Sequence, residues 1–176
     1  MYRKTYNSPL GTIYIRSDGK YLTGLWFENS RDSNKHQYDF KEKNLPIFDK
    51  TIKWLDIYFD GKKPNFIPEY KIENLTPFRK QVIDIMNKIP YGETITYNYI
   101  AKEIAKSKNI TKMSAQAVGG AVGWNPICII IPCHRVVGTN GSLTGYGGGI
   151  KNKIKLLELE KNDMNKFTVP KKGTAL

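Results

Sequence analysis

The chain has 176 residues, a net charge of +12 and two cysteines. This length allows burial of roughly 70% of the unfolded surface, which is enough for one domain or two small ones. No stretch approaches the roughly 20 apolar residues of a membrane span, and no signal-peptide apolar segment follows residues 1–4, so we expect a cytoplasmic protein. Two cysteines in a reducing compartment argue against a disulfide framework.

The positive charge is concentrated in the second half of the chain. Residues 1–75 carry 13 Lys/Arg against 10 Asp/Glu, whereas residues 76–176 carry 15 against 6, a net charge of +9. Basic side chains that neutralise phosphates release counterions, so a basic half indicates a polyanionic partner such as nucleic acid. A lysine-rich composition with solvated lysines explains the charge equally well, and composition alone leaves both interpretations open.

The first 75 residues contain signals for a hairpin and for one helix. Two strand-like runs within residues 12–27 flank Asp18-Gly19, a dipeptide that is typical of hairpin turns. Residues 29–44 are polar and predict a loop. Apolar residues then recur at helical spacing, which predicts a helix over residues 47–59.

The second half opens with three predicted helices. Thr76 is a hydroxyl N-cap, and Pro77 follows at the first helical position, where its missing N–H removes no hydrogen bond. After a short extended piece, a second helix is predicted over residues 97–105. A polar turn then leads to Ser114, which caps a third helix over residues 115–123.

That third helix contains three glycines, at positions 119, 120 and 123. Each costs a helix roughly 1 kcal/mol relative to alanine, so a compensating contact is expected. Small residues let the backbone approach a partner closely, and the partner is either another helix or a nucleic-acid groove. A helix, a turn and a small-residue helix in a basic half resemble a helix-turn-helix module. A further helix is predicted over residues 150–161 and a loose tail over residues 171–176.

A cysteine, a histidine and an arginine follow one another at the end of an apolar run. Residues 127–131 predict a buried strand that ends at Pro132. The thiolate is the reactive form of cysteine, and nearby cations favour it; Cys133 is followed by His134 and Arg135. Because adjacent side chains of an extended segment point to opposite faces, we expect a bridging water between Cys133 and His134. A nucleophile's base is itself oriented by a third group, so His134 should have a carboxylate partner elsewhere.

Other interpretations of these residues are less well supported. Cys128 is interpreted as a packed apolar residue. A zinc site needs about four ligands, and Cys128, Cys133, His134 and His36 have a spacing unlike that of structural zinc sites, so we predict no metal. A Cys-His hydrolase stays open as a distant alternative, although no oxyanion-hole signature accompanies the pair.

The motif around the cysteine is similar to that of a known family. Asn125-Pro126 and then, after the apolar run, Pro-Cys-His-Arg-Val-Val-Gly at 132–138 resemble the signature of the 6-O-alkylguanine-DNA alkyltransferases. The resemblance covers residues 76 to about 161. It implies an α+β protein with a small ribonuclease-H-like N-terminal domain over residues 1–75. A mostly helical, winged-helix-like domain over residues 76–170 would bind DNA and carry the alkyl acceptor.

The resemblance implies single-turnover DNA repair. In that family the motif cysteine takes an alkyl group from the 6-oxygen of a flipped guanine and forms a permanent thioether, without a cofactor. We therefore expect a monomer whose partner is double-stranded DNA, bound through the minor groove. A non-enzymatic DNA-binding protein on the same scaffold is the alternative. The presence of Cys133 disfavours it, because relatives that only bind damage lack the acceptor cysteine.

The family's catalytic residues have counterparts in this sequence. By the resemblance, Cys133 is the alkyl acceptor and His134 is its water-linked base. Glu160 falls where the family keeps the carboxylate that orients the histidine, with Glu158 as the competitor for this role. Asn125 matches the residue that holds the active-site turn. Without the family, Asn125 would be read as part of an ordinary Asn-Pro turn and Glu160 as a solvated helix residue.

The resemblance also implies a pocket for the flipped base. Tyr97 matches the tyrosine whose hydroxyl assists the leaving guanine, and Tyr146 matches a wall of the pocket. Glycines beside Tyr146, Gly147 among them, would let backbone amides face the ligand. The carbonyl of Val136 would accept a hydrogen bond from the exocyclic amine, and Val122 is a further expected pocket residue.

The third predicted helix resembles the family's recognition helix, which lies in the minor groove, where small residues permit close approach. It departs from the family at Gln116, because the intercalating residue is usually an arginine. The residues expected to contact DNA are Ser114, Ala115, Gln116, Ala117, Gly119, Gly120 and Arg135.

Overall fold

A computed structural model describes residues 1–35 and 38–170. The predicted loose tail, residues 171–176, lies outside the described residues. The chain divides into two compact units. Unit 1 comprises Met1–Asn74 and Pro126–Ile130, and unit 2 comprises Leu75–Asn125 and the chain from Ile131 onward. Within the described part of the chain, no helix is long and apolar enough to cross a bilayer.

Unit 1 is built on a three-stranded antiparallel sheet. Its strands are β1 (Tyr2–Ser8), β2 (Gly11–Ser17) and β3 (Leu22–Phe27), in the order β1-β2-β3. The predicted hairpin is confirmed as β2 and β3. Its turn is held by Asp18 Oδ1, which accepts from the backbone N–H groups of Lys20 and Tyr21, while Gly19 supplies a φ of +113°. Strand β1 was not predicted, because its mostly polar residues show no apolar alternation, and they are half-buried or exposed.

One helix packs on this sheet and forms the core of unit 1. Helix α1 (Pro46–Phe59) confirms the helix predicted over residues 47–59, and the predicted loop before it contains a 3-10 helix, Arg31–Lys35. Inward-facing residues of β2 and β3 pair across the strands, Ile13 with Phe27 and Ile15 with Leu25. The fully buried side chains that they meet from α1 include Phe48, Leu55 and Tyr58.

Residues 126–130 belong to unit 1, although they lie between two elements of unit 2. Leu25 of β3 donates its N–H to Pro126 O at 2.9 Å, and Cys128 donates its N–H to Leu25 O at 2.9 Å. These bonds attach the segment to β3. These residues therefore group with unit 1, although they lie within the range predicted for the C-terminal domain.

The strand predicted over residues 127–131 is wrong. The residues are buried, as predicted, but only Ile127 makes a bridge and a turn follows it. Ile130 N–H donates to Cys128 O at 2.8 Å, and Ile129 between them has a φ of +67°. This is a γ-turn on a β-branched residue, a conformation that local propensity disfavours and that only surrounding packing can hold.

Unit 2 is mostly helical. Two short parallel strands, β4 (Ile95–Thr96) and β5 (Val136–Val137), pair with each other. Its helices are α2 (Pro77–Met86), α3 (Tyr97–Ser107), α4 (Ala115–Gly123) and α5 (Ile150–Leu159), with 3-10 helices at Cys133–Arg135, Thr139–Gly141 and Met164–Lys166.

The helix starts in unit 2 lie where the sequence predicts them. Thr76 Oγ1 accepts from Arg79 N–H at 3.3 Å at the start of α2, and Ser114 Oγ accepts from Ala117 N–H at 3.3 Å at the start of α4. Helices α2, α3 and α4 pack against one another. The buried face of α4 consists of Val118, Ala121 and Val122. On this face the small residues of α4 allow close packing against the neighbouring helices α2 and α3.

Candidate active site

Cys133 lies at the start of a single turn of 3-10 helix in unit 2. Its N–H donates to Ile131 O at 2.8 Å across Pro132, whose φ of −82° and ψ of 61° form an inverse γ-turn. Cys133, His134 and Arg135 then form the 3-10 turn, so their side chains spread around a helix axis. The expectation that these residues are extended, with side chains on alternate faces, is therefore wrong.

The side chain of Asn125 holds both the sulfur and the turn. Asn125 is buried, and its Nδ2 donates to Ile131 O at 2.9 Å and to Cys133 Sγ at 3.1 Å. A donor on the sulfur favours the thiolate over the thiol. The structure thus brings together Asn125 and Cys133, which the resemblance had placed in one site.

His134 and Glu160 form a fully buried pair. His134 Nε2 lies 2.7 Å from Glu160 Oε1. Since a carboxylate only accepts, Nε2 carries the proton, and the basic lone pair of the neutral imidazole lies on Nδ1. Glu158, the competitor, is exposed and pairs with Lys155 at 3.2 Å.

Burial decides the charge state of His134, and hydrogen bonds with a neighbouring charge decide that of Glu160. Burial lowers the pKa of His134 below its usual 6.5, although the hydrogen bond to Glu160 works in the opposite direction. Burial alone would raise the pKa of Glu160, but hydrogen bonds from His134 and Arg135, together with the Arg135 charge, outweigh it and lower that pKa to about 2. At neutral pH the site therefore holds a neutral imidazole against an ionised carboxylate, which suits a general base.

Tyr97 and Lys153 converge on one backbone carbonyl. Tyr97 Oη donates to Thr144 O at 3.4 Å, and Lys153 Nζ donates to Thr144 O at 3.0 Å and to Val136 O at 2.7 Å. Burial raises the pKa of Tyr97 to about 12 and lowers that of Lys153 to about 8. The charge of Cys133 contributes to the pKa of both residues, so both lie within electrostatic reach of the sulfur.

The other expected pocket residues lie in unit 2 as well. Tyr146 is buried, and its carbonyl accepts from Gly149 N–H at 2.9 Å, which closes the glycine turn that contains Gly147. The Val136 carbonyl, expected to accept the guanine amine, already accepts from Lys153 but keeps a second lone pair. Val122 is buried on the inner face of α4.

The outer face of α4 carries most of the residues expected to contact DNA. Gln116, Ala117 and Gly120 are exposed, and beyond the helix's own backbone no described atom lies within 4 Å of the position that a Cβ on Gly120 would occupy. Ser114 is exposed and uses its hydroxyl as the helix cap. Ala115 and Gly119 are half-buried, and a Cβ on Gly119 would lie 4.0 Å from the Tyr97 ring.

The structure corrects the prediction that Arg135 contacts DNA. Arg135 is 9% exposed, and its guanidinium makes a two-point ion pair with Glu160, at 2.8 Å from Nε and 2.9 Å from Nη2. A side chain that is buried and ion-paired in this way is not placed to reach a phosphate. No sequence pattern near residue 135 indicated that Glu160 would be the partner of Arg135.

Sequence reasoning missed Lys153, a fully buried lysine. Lys153, Leu156, Leu157 and Glu160 follow one another at intervals of three, one and three residues, so they share one face of α5 and its C-cap. That periodicity was visible in the sequence. Lys153 and Glu160 would have been recognised as buried if the apolar stripe had been extended to the charged residues at its two ends.

The fold and site define a two-unit α+β protein whose helical unit joins a helix-turn-helix arrangement to a buried cysteine beside a His–Glu pair. Residues 77–162 match the sequence model of the 6-O-methylguanine DNA methyltransferase DNA-binding domain, and residues 1–69 match that of the ribonuclease-like domain of the same enzymes. The chain therefore belongs to the 6-O-methylguanine DNA methyltransferase family. The two domains implied by the resemblance are both present.

Relatives match along almost the whole chain. A methylated-DNA–protein-cysteine methyltransferase of Haemophilus influenzae is 40% identical over 163 residues, covering 92% of this chain and 87% of that protein. One of Methanosarcina barkeri is 40% identical over 164 residues, covering 93% and 99%. The crystal structure of Mycobacterium tuberculosis OGT in complex with DNA superposes with a TM-score of 0.79 at 36% identity, covering 95% of each chain.

Proposed function

We propose that this protein repairs DNA by transferring the alkyl group of 6-O-alkylguanine to Cys133, once per molecule. The observation that carries the proposal is the hydrogen-bonded arrangement around the sulfur. Asn125 donates to Sγ, and the adjacent His134 is held neutral against Glu160. The family to which the chain belongs supplies the substrate class.

The proposed chemistry is a displacement at the alkyl carbon. Cys133 Sγ attacks that carbon, the carbon–oxygen bond breaks, and the electron pair of that bond passes to the 6-oxygen of guanine. His134 takes the thiol proton through a bridging water, and Tyr97 gives a proton to the departing guanine. His134 then loses its extra proton to solvent and Tyr97 regains one from solvent, which restores both groups. Atoms and charges balance among protein, DNA and solvent, and the thioether that forms makes the reaction a single turnover.

The proposed partner is double-stranded DNA. The solved M. tuberculosis relative is bound to DNA, and the exposed small residues of α4 give this chain an open helix face for the minor groove. Flipping the guanine costs a few kcal/mol, which contacts in the pocket would offset. We propose that the protein acts as a monomer in the cytoplasm, where a reducing environment keeps the acceptor thiol free.

The experiment is intact-protein mass spectrometry after incubation with a duplex that contains one 6-O-methylguanine. We expect one added methyl group per molecule, located on Cys133 by peptide mapping. Cys133→Ala should stay unmodified, and Cys128→Ser should react like the wild type, since Cys128 is a buried residue of unit 1. Repeated turnover, or a methyl group on Cys128, contradicts the proposal.

A further inference from the structure

Arg135 is tied to the same carboxylate that holds His134. Its Nε and Nη2 take one oxygen of Glu160 each, and its Nη1 donates to Ile89 O at 2.9 Å. Glu160 Oε2 also accepts from Gly92 N–H at 3.2 Å. Among the described residues, the imidazole of His134 therefore shares the carboxylate with the Arg135 guanidinium and the Gly92 amide.

This arrangement divides the negative charge of Glu160 between two partners. Oε1 accepts from both His134 Nε2, at 2.7 Å, and Arg135 Nη2, at 2.9 Å. A carboxylate facing a histidine alone would favour the imidazolium, because an opposite charge within hydrogen-bond distance stabilises the charged form. A guanidinium on the same carboxylate offsets part of that field and is itself always charged.

We propose that Arg135 is a positioning residue for the transfer reaction: by holding both oxygens of Glu160, it keeps His134 neutral and oriented to accept the Cys133 proton. The proposal rests on the proposed proton transfer from Cys133 to His134. The hydrogen bonds of the Arg135 side chain go to Glu160 and to Ile89 O, so its effect on the orientation of His134 passes through Glu160.

Burial has the largest effect against protonation of His134, and the charges of Arg135 and Lys153 act in the same direction as burial. Glu160 acts in the opposite direction and favours the protonated imidazole. Cys133, the adjacent residue, is the proton donor in the proposed reaction. Removal of Arg135 leaves Lys153 as the remaining cation, which is bonded to Val136 O and Thr144 O and not to the carboxylate.

The first test is the pH profile of the single-turnover rate. Arg135→Met keeps an apolar stem and removes the charge. A protonated His134 cannot act as base, so we expect the acid limb of the profile to move to higher pH. At about pH 6, the rate divided by its plateau value should be roughly tenfold lower in Arg135→Met than in the wild type. Arg135→Lys keeps a charge but cannot span both oxygens, and its acid limb should lie between those of Arg135→Met and the wild type. Arg79→Met is the matched control, because it removes the same charge from a surface stack on Trp124.

The second test titrates His134 without the reaction. The chain has two histidines, so His36→Gln leaves His134 as the one imidazole in an NMR titration. We expect Arg135→Met to raise the midpoint of that titration and Arg79→Met to leave it unchanged.

An unchanged midpoint in Arg135→Met, or a transfer rate that falls equally at every pH, would show that Arg135 is structural only. If Arg135→Met does not fold, Arg135→Lys decides alone, since a wild-type midpoint in that variant overturns the proposal. A protein that transfers no alkyl group but shows the expected midpoints would refute the proposed function and leave standing only that Arg135 holds His134 neutral.

Discussion

The side-chain amide of Asn125 joins the sulfur of Cys133 to the backbone of the turn that carries it. One nitrogen donates to Cys133 Sγ at 3.1 Å and to Ile131 O at 2.9 Å. The two residues lie eight positions apart in the chain, at the two ends of a segment whose middle belongs to unit 1. Placement of the sulfur and its activation therefore depend on the same side chain.

We predict that Asn125→Asp makes Cys133 less reactive. The substitution replaces a donor by a carboxylate at nearly the same position, and a negative charge beside the sulfur disfavours the thiolate. The rate of Cys133 labelling by iodoacetamide, measured against pH without DNA, should reach its half-maximum at higher pH than in the wild type. Asn98→Asp is the control, because Asn98 is exposed and bonds Thr139 instead. Equal half-maxima for all three proteins would contradict the assigned contact.

Glu160→Ala should slow transfer while leaving DNA affinity largely unchanged. Loss of the carboxylate removes the group that orients His134, and a positioned general base contributes about 100-fold or more to rate. Glu160 is 2% exposed, so it has no route to a phosphate. The comparison is single-turnover rate against binding to undamaged duplex. Glu158→Ala, which alters an exposed ion pair on the same helix, should match the wild type, and impairment of that variant alone would move the role to Glu158.

Lys153→Met should slow transfer because Val136 O and Thr144 O lose the ammonium that holds them. Lys155→Met is the control, since Lys155 is exposed on the same helix.

Lys153→Met should also change how the stability of the protein depends on alkaline pH. The folded pKa of Lys153 is about 8 against an ordinary 10.5, so between these values the unfolded chain binds more protons and stability rises with pH. Melting temperatures measured across that window should rise less in Lys153→Met than in the wild type. Parallel curves would mean that Lys153 does not titrate there.

Acidification should destabilise the protein in two stages. The folded pKa of His134 lies below 6.5, so the unfolded chain takes up this proton first and stability falls as the pH drops below about 6.5. The folded pKa of Glu160 is about 2 against an ordinary 4.5, so a further loss follows between those values. His134→Gln should remove the first stage and leave a smaller second stage, because the ion pair of Glu160 with Arg135 remains. Thermal melting from neutral to acid pH measures both, and a wild-type curve that is flat from pH 6.5 to 4.5 would refute the burial of a neutral His134.

Gln116 should occupy the space that the flipped base leaves, but less effectively than arginine. Its side chain is exposed on α4, planar and able to hydrogen-bond, whereas arginine is longer and also attracts phosphate. We expect Gln116→Ala to slow repair slightly, and Gln116→Arg to raise both DNA affinity and single-turnover rate. Thr111→Arg adds the same charge on the loop before α4 and serves as the control for affinity. A faster Thr111→Arg, or no effect of either change at Gln116, would assign the wedge to another residue.

The sequence by itself determined the features whose signals lie within a few residues. The Asp18-Gly19 hairpin, the α2 start at Thr76-Pro77 and the α4 start at Ser114 all form where predicted, because their hydrogen bonds join residues two or three positions apart. The Pro-Cys-His-Arg motif likewise identified the family without any knowledge of the fold.

Only the tertiary structure decided which polar groups are buried and with which partners. The γ-turn at Ile129 replaces the predicted strand because bonds to β3 hold this segment in unit 1. Arg135 was expected on DNA and instead pairs with Glu160, 25 positions along the chain. The free-energy cost of burying a charge without a partner is large, so each buried charge requires a partner. The partner comes from a distant part of the chain, so no local pattern around either residue specifies it.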